Sequence, residues 1–381
     1  MQFLGIIAFI VALLASVMIH EFGHYITAKR FGMRISEFFV GFGKRIWSTQ
    51  RGETEFGIKV IPAGGYCKIE GMAPNDQMLP GEEDRAFYKA SSGRKLIVLG
   101  AGSFLHFVLG FLLLFTLFAG VGTIQVLPVI GEVVEGSVAA SSGIEVGDEV
   151  LSINGVKVTS WYKDVEVIRN SGGKEVVLTI DRQGQIITVR AEPRLTEIDG
   201  EKRYLLGIVN EVGVKRFGLL SSISNSATVT KSFVTESIKS LMSLPSKIPA
   251  LWGQTVRGEE RDANGLVGVV GVARVSGEAV GSDQLTVQER ISTFLLIIAS
   301  LNIFIGIFNL LPILPLDGGH MAVAIADEIR ALFARMRGRP RPAAIDVTVL
   351  TPVTMVVFVI LASLTLLLLV ADVINPVVLN L

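Results

Sequence analysis

Long apolar stretches alternate with polar ones along this chain. A helix needs about 20 consecutive apolar residues to cross a bilayer, and stretches of that length recur. They are residues 3–28, 96–119, 291–314 and 347–370. The pattern predicts a polytopic α-helical membrane protein with four transmembrane helices.

The segments between these spans differ in character and predict a domain order. It is 1–30 (first span), 31–94 (a membrane-associated β-hairpin region), 95–120 (second span), 121–205 (a β-rich domain), 206–290 (an amphipathic helix and linker), 291–320 (third span with a polar end), 321–346 (a basic loop) and 347–372 (fourth span).

Basic residues concentrate in segments 31–94 and 321–346. Short basic loops stay in the cytoplasm, so we expect both termini and the long 121–290 segment to be extracytoplasmic. By the same rule, the polar end of the first span lies toward the cytoplasmic side.

The segment 47–72 carries strand patterns. Residues 47–49 and 55–60 predict short strands around a turn at 50–53, and 62–69, with the pair Gly64-Gly65 before Tyr66, predicts a further extended piece. Two interpretations stay open. The hairpin is either solvent-exposed in the cytoplasm or a sheet edge near an active site that receives an extended peptide by strand addition.

Residues 126–195 predict a compact β-rich domain. A glycine turn at Gly143–Gly147 precedes an alternating strand, and Asn154-Gly155 is typical of a tight hairpin. Together with a preceding helix and strands at 176–180 and 186–190, this segment resembles a PDZ domain. The resemblance implies an inserted domain that binds peptide ends. A domain that only shields the membrane site is the alternative.

After residue 207 the apolar period becomes helical. The positions are Leu220, Ile223, Ala227, Val234, Ile238 and Leu241. We expect an amphipathic helix that ends at Pro245 and Pro249, lying on the membrane surface or packing beneath the β-rich domain.

Composition supports a membrane protein and limits its partners. Half of the residues are hydrophobic, 18% are charged and the mean hydropathy is +0.55. The 35 basic and 35 acidic residues cancel, so no nucleic-acid partner is indicated. The one cysteine, Cys67, excludes an internal disulfide.

The candidate chemistry begins with His20-Glu21-Phe22-Gly23-His24 near the end of the first span. Histidines four apart lie on one helix face and can bind one zinc ion, with a carboxylate beside them that can accept a proton. Ionisable groups at membrane depth need compensation. A metal site therefore explains them better than buried, hydrogen-bonded histidines.

A catalytic zinc site usually has three protein ligands. Pro312, Pro315 and the pair Gly318-Gly319 predict an unwound backbone after the third span, which is tolerated at membrane depth only inside protein or beside a water-filled cavity. Asp317 on that turn is the favoured third ligand, and His320 is the alternative.

These features together resemble the site-2 protease family of intramembrane zinc metalloproteases, closest to the actinobacterial type. The similarity covers nearly the whole chain, including the Gly64-Gly65-Tyr66 hairpin, and Val40-Gly41-Phe42-Gly43, the single PDZ and the segment order are closest to the actinobacterial type. The resemblance implies one Zn²⁺ per chain held by His20, His24 and Asp317, with Glu21 as general base. It also implies that Asn309 positions substrate and that the hairpin at Gly64, Gly65 and Tyr66 receives the unwound substrate strand.

Two departures from the family pattern concern substrate positioning. The second span has Ala101-Gly102-Ser103 and then His106, where relatives often carry Gly-Pro and an asparagine. Asn302 lies seven residues before Asn309 instead of five. His106 and Asn302 remain candidate positioning residues, with His106 either facing the cavity or hydrogen-bonded between helices.

We therefore expect a bacterial cytoplasmic-membrane protease that cuts transmembrane segments of single-span proteins. By resemblance, such substrates include shortened anti-sigma factors and remnant signal peptides. A membrane metal transporter or sensor using the same His/Asp cluster and an inactive PDZ scaffold are the alternatives.

Overall fold

The computed structural model describes residues 1–198, 201–262 and 265–377. The longer helices are α1 (Gln2–Arg30), α2 (Ser92–Thr116), α6 (Leu219–Val256), α7 (Val269–Gly281), α8 (Val287–Asn309), α9 (Asp317–Met336) and α10 (Thr351–Ile374). Within the described residues, four helical segments are long and apolar enough to cross a membrane: Gln2–Arg30, Ser92–Val121, Val287–Asn309 and Val347–Ile374. They match the four apolar stretches of the sequence.

The chain divides into two units, residues 122–217 and the rest. In the larger unit α1 packs against α2 and α7, and α2 packs against α8 and α9. Small residues permit this close packing. A Cβ atom on Gly110 of α2, for instance, would lie 2.8 Å from the side chain of Ile303 on α8.

The hairpin consists of β1 (Ile35–Arg51) and β2 (Thr54–Ile69), both longer than the strands predicted at 47–49 and 55–60. The piece at 62–69 is part of β2. Residues 37–40 of β1 pair with 55–58 and also with 65–68, so they lie between two parts of β2. Gly41 enables this path, because its φ is +83° and a Cβ atom would lie 2.5 Å from the Ile61 carbonyl oxygen.

The hairpin packs on the C-terminal half of α1. The rings of Tyr25, Phe38 and Phe56 contact one another with centroids 5.5–5.6 Å apart. Beside them, Met33 and Ile35 join a buried cluster with Phe87 and residues of α2. Apolar burial therefore holds the hairpin against the helix that carries both histidines.

The third span is shorter than predicted. Helix α8 ends at Asn309 instead of extending to 314 or 320, since Pro312 cannot continue it and residues 310–316 form turns. Helix α9 then begins at Asp317 and continues to Met336. The prediction of a loop over 321–346 is wrong for its first half, because an amphipathic helix occupies it.

The smaller unit is an α+β insertion whose described strands form one main sheet in the order β10-β3-β4-β6-β7, with β5 paired to β4. These strands are β3 (Thr123–Val133), β4 (Glu149–Ile153), β5 (Val156–Lys157), β6 (Val176–Arg182), β7 (Gln185–Ala191) and β10 (Ile208–Lys215). The short helices are α3 (Val138–Ser141), α4 (Trp161–Asp164) and α5 (Glu166–Arg169). A separate hairpin pairs β8 (Arg194–Ile198) with β9 (Glu201–Leu205).

The strands and turn predicted for this unit agree with the structure, but its predicted C-terminal boundary does not. The hairpin turn at Asn154-Gly155 has both residues at positive φ, and the helix before Gly143 is α3. The domain extends past residue 205, because β10 pairs with β3 from Ile208↔Val133 to Lys215↔Thr123. Long-range pairing, which local periodicity does not encode, sets this boundary.

Helix α6 is longer than predicted. Pro245 and Pro249 lie inside it. Serine hydroxyls in these turns bond to carbonyls three residues earlier, from Ser243 to Ser240 and from Ser246 to Ser243. Helix α6 packs on the membrane helices α2, α8 and α10.

Candidate metal centre

Two histidines of α1 and one aspartate of α9 converge at a buried point. The Nε2 atoms of His20 and His24 lie 3.1 Å apart, and Asp317 Oδ2 lies 3.2 Å from the first and 3.3 Å from the second. Tetrahedral zinc with bonds of about 2.0–2.1 Å separates its ligand atoms by about 3.3–3.4 Å. Three nearly equidistant donors of nitrogen and carboxylate oxygen therefore fit one zinc ion.

Asp317 reaches the histidines because α9 begins at this residue, directly after the turns of 310–316. Its two following glycines let the new helix press onto that segment. A Cβ atom on Gly318 would lie 2.3 Å from the Leu310 backbone, and one on Gly319 would lie 2.5 Å from Leu314 N. The glycine pair thus places the carboxylate.

His320, the alternative third ligand, lies one turn further along α9. Of the residues described, the one group of His, Cys, Asp and Glu side chains close enough to share a metal ion is His20, His24 and Asp317. The geometry therefore favours the aspartate over His320.

Helix α2 orients the His24 ring through the nitrogen that does not face the metal centre. The Val98 carbonyl oxygen lies 2.8 Å from His24 Nδ1, so Nδ1–H donates to it and the Nε2 lone pair points toward Asp317. Such a second bond commonly fixes a metal-binding tautomer. In the part of the chain that the structure describes, His20 Nδ1 and the nearby Ser103 Oγ have no hydrogen-bond partner.

The close approach of α2 depends on Gly102. A Cβ atom there would lie 2.5 Å from His20 Cε1 and 2.7 Å from His24 Nε2. Gly23, between the histidines, plays the matching part on α1, since its Cβ atom would lie 2.7 Å from the Ala101 carbonyl oxygen. Residue spacing did not predict these contacts, although the small residues Ala101-Gly102-Ser103 indicate close helix packing.

Glu21 faces the hairpin. Its Oε2 atom accepts a hydrogen bond of 2.9 Å from the backbone N–H of Cys67 in β2. A carboxylate next to a metal-binding histidine and fixed by a main-chain donor can accept and return a proton. Glu21 could be predicted from the sequence, but this donor could not, because every residue except proline has a backbone N–H.

The predicted hairpin residues lie around this bond but use their side chains differently. Gly65 lies against Met18 of α1, where a Cβ atom would come within 2.5 Å of its sulfur, and Gly64 lies beside Phe42. The Tyr66 hydroxyl bonds instead to Glu37 and Lys59, so its side chain braces the hairpin.

His106 and Asn302 form a hydrogen-bonded network next to His20. His106 Nδ1 lies 2.9 Å from Asn302 Oδ1, and the Asn302 amide nitrogen donates to Ser16 Oγ and the Ile298 carbonyl. The ring of His106 lies 5.0 Å from that of His20. Asn302 has 0% exposure and its amide is fully used, so the structure places it as a support for His106 and not on a substrate-facing surface.

Asn309, the other predicted positioning residue, is the last residue of α8 and is half-buried. It lies where the helix gives way to the segment leading to Asp317. The network of His106, Asn302 and Ser16 joins α2, α8 and α1.

The sequence of this chain is similar to those of known proteins. The model of peptidase family M50 matches residues 8–360. Zinc metalloprotease Rip1 of Mycobacterium tuberculosis (strain ATCC 25618 / H37Rv) is 33% identical over 403 residues, covering 98% of both chains. Zinc metalloprotease Rip1 of Mycolicibacterium smegmatis is 31% identical over 98% of both. A putative zinc metalloprotease of Helicobacter pylori (strain J99) is 31% identical over 82% of this chain and 87% of its own.

These matches extend well beyond the metal centre, from the first span to the fourth. They agree with a membrane helix bundle whose histidines and aspartate fit zinc. The chain therefore belongs to peptidase family M50, the site-2 protease family, and is a zinc-dependent metalloprotease of the multi-pass membrane type.

Proposed function

We propose that this protein is an intramembrane endopeptidase that cleaves transmembrane segments of single-span membrane proteins. The convergence of His20, His24 and Asp317 inside a bundle of apolar helices, with Glu21 beside them, carries the proposal. Shortened anti-sigma factors and remnant signal peptides are the substrate classes that the family resemblance suggests.

Each residue of the site has a proposed role. His20 Nε2, His24 Nε2 and Asp317 Oδ2 hold the zinc ion, which when bound polarises a carbonyl and lowers the pKa of water. Glu21 takes a proton from the attacking water and passes it to the leaving amine nitrogen. The Cys67 N–H keeps the Glu21 carboxylate oriented while it does so.

A substrate helix must unwind before its amides are accessible, because a helix keeps them in internal hydrogen bonds. The N–H of Cys67 points toward α1 instead of toward β1, so this edge of β2 borders the site. We propose that the substrate adds there as an extended strand beside residues 64–66, while the Cys67 N–H stays bonded to Glu21. Asn309, beside the segment that leads to Asp317, is proposed to hold the substrate on the opposite side.

The proposed location is the bacterial cytoplasmic membrane, with both termini and the inserted unit extracytoplasmic. The basic residues of 31–94 and of the segment after α9 support this orientation. The metal centre then lies toward the cytoplasmic side.

We infer that the inserted unit is a PDZ domain with a peptide groove. A cavity of about 480 Å³ lies between β10, the outermost strand of its sheet, and the helices α4 and α5. Trp161, Val165 and Leu206 supply apolar lining, while Arg169 and Arg194 supply positive charge. An extended peptide with an apolar end and a free carboxylate has matching chemistry. Exclusion of bulky substrates by the unit is the alternative role.

Cleavage of a truncated single-span reporter in membranes tests the protease proposal, with zinc content measured on the same preparations. We expect Glu21→Gln to retain zinc and lose cleavage, and Asp317→Asn to lose both. His320→Asn is the matched control on α9 and should retain both.

Other outcomes redirect the assignment. Zinc lost in His320→Asn and kept in Asp317→Asn would make His320 the third ligand. Cleavage that persists in Glu21→Gln contradicts the proposed base. Metal flux across vesicles without any proteolysis would favour the transporter, and a zinc-free natural chain would favour the inactive scaffold.

A further inference from the structure

An uncovered apolar stripe runs along α9, away from the metal centre. It consists of Ile325, Ile329, Leu332, Phe333 and Met336, which are 45–69% exposed. Their spacing of three, four and seven residues puts them on one helix face. Ala324 beside the stripe is buried, and Ile325, Ile329 and Leu332 also line an open cavity together with Arg341 and the first turn of α2. A stripe of this size requires an apolar environment.

Arginines follow this stripe closely. Arg335, Arg337 and Arg339 are exposed, and none has a carboxylate within 4.0 Å among the residues that the structure covers. Their neighbours are engaged, since Arg330 pairs with Asp327 and Arg341 with Glu328. Three positive charges are thus available to an external anion.

The position of these residues is set by the ends of two spans. Glu328 Oε2 accepts a hydrogen bond of 2.8 Å from Ser92 Oγ, the first residue of α2. Arg341 binds the same carboxylate and precedes Val347, the start of the fourth span, by six residues. Six residues reach at most about 20 Å. The arginines therefore lie at the membrane surface.

We propose that residues 325–341, named here the basic arm, bind the anionic phospholipid surface of this leaflet. The apolar stripe enters the acyl boundary, and Arg335, Arg337 and Arg339 donate hydrogen bonds to lipid phosphate oxygens. A lipid surface satisfies both halves of the arm at once, because the stripe adjoins the membrane-spanning helices and the arginines stand at headgroup level. A soluble partner would need to compete with lipid for the same face.

The arm also connects the lipid surface to the metal centre. Helix α9 begins at Asp317 and is a rigid rod of 20 residues. Seating its far end on anionic lipid would favour the orientation in which Asp317 meets the histidines. This second step depends on the proposed role of Asp317, whereas lipid binding by the arm does not.

Full-length protein in nanodiscs tests lipid binding directly. A fluorophore on Met336→Cys, in a Cys67→Ser background, reports contact with brominated lipids by quenching. We expect quenching to rise with the fraction of phosphatidylglycerol over phosphatidylcholine and to weaken with salt. The triple change of Arg335, Arg337 and Arg339 to Gln should lower the affinity of the basic arm for anionic lipid by roughly 100-fold, at about fivefold per arginine, and so shift the quenching curve to higher phosphatidylglycerol fractions.

Matched variants separate charge from folding. Changing the same arginines to Lys should retain most of the response. Changing Lys157, Lys163 and Lys174, exposed residues of the inserted unit, to Gln should leave it unchanged. Equal quenching in phosphatidylglycerol and phosphatidylcholine overturns the proposal. A fluorophore signal that changes on addition of RNA or soluble protein, but not with the lipid, also overturns it.

Zinc affinity in the two lipid mixtures tests the connection to Asp317. Tighter zinc binding in phosphatidylglycerol that disappears in the Arg→Gln triple variant supports it, and unchanged affinity refutes it. If Asp317→Asn bound zinc normally while lipid quenching persisted, the role of Asp317 would fail and the basic arm would stand.

Discussion

The backbone N–H of Cys67 donates a hydrogen bond of 2.9 Å to the Glu21 carboxylate. This bond joins the sheet edge proposed to receive substrate to the residue proposed to move the proton. Because the donor belongs to the main chain, the identity of the side chain at 67 matters less than the presence of its amide.

Substitution of Cys67 distinguishes amide from thiol. Cys67→Pro removes the N–H and should lower reporter cleavage by at least about tenfold, a typical loss when a positioned catalytic group is misplaced. Cys67→Ala keeps the N–H and should remain close to the natural chain. Equal activity of the two variants, at equal zinc content, would show that this bond does not orient Glu21.

Gly102→Ala should impair zinc binding, because the added methyl group would overlap His20 and His24. Disturbing the groups that orient metal ligands typically costs 10–100-fold in affinity, and we expect a loss of that size in competition with a chelator. Gly93→Ala is the control on the same helix, where a Cβ atom has nothing within 4 Å. Normal zinc affinity in Gly102→Ala would mean that α2 can shift without disturbing the site.

Asn302→Ala should destabilise the bundle. It leaves the buried His106 Nδ1–H without its acceptor, which costs about 1–3 kcal/mol and should lower the unfolding temperature of the detergent-solubilised protein. Ser300→Ala, which removes only a bond to the Ile297 carbonyl of the same helix, is the control. Strictly additive effects of Asn302→Ala and His106→Ala would argue against a coupled network.

Acid should loosen the inserted unit through Asp148. Burial alone would raise the pKa of this carboxyl, but hydrogen bonds from Arg182 and the Glu145 N–H outweigh burial and hold the pKa below its ordinary value. Its stabilising effect is therefore complete above the unfolded pKa of about 3.9 and is lost as the pH falls through the lower, folded value.

Asp148→Asn should destabilise this unit by about 2 kcal/mol at pH 7, with a smaller difference near pH 3. Hydrogen exchange of the β4 and β6 amides in the full-length protein measures this. Glu175→Gln, which removes an exposed pair with Arg190, should have little effect. Identical protection of Asp148→Asn and the natural chain at pH 7 would contradict the prediction.

Removal of the inserted unit tests its proposed gating role. Thr123 and Lys215 are paired, so a short linker can replace residues 122–217 without separating the flanking helices. If the unit excludes untrimmed substrates, its deletion should allow full-length reporters to be cut. An unchanged substrate range would remove this role, and the peptide-groove alternative would then be tested by binding.

Features that depend on neighbouring residues could be predicted from the sequence. Apolar runs of sufficient length define the spans, since a bilayer imposes their length. The four-residue spacing of His20 and His24 puts them on one helix face, and Asn154-Gly155 defines its turn through local backbone preference.

The three-dimensional fold sets the relationships between distant parts of the chain. It brought Asp317, and not His320, to the histidines, because Gly318 and Gly319 let α9 press onto the preceding turns. It also makes the backbones of Val98 and Cys67 hydrogen-bond partners of the site, and it continues α6 past two prolines. Such contacts join segments far apart in sequence and often use main-chain atoms common to all residues, so residue types and spacing contain little information about them.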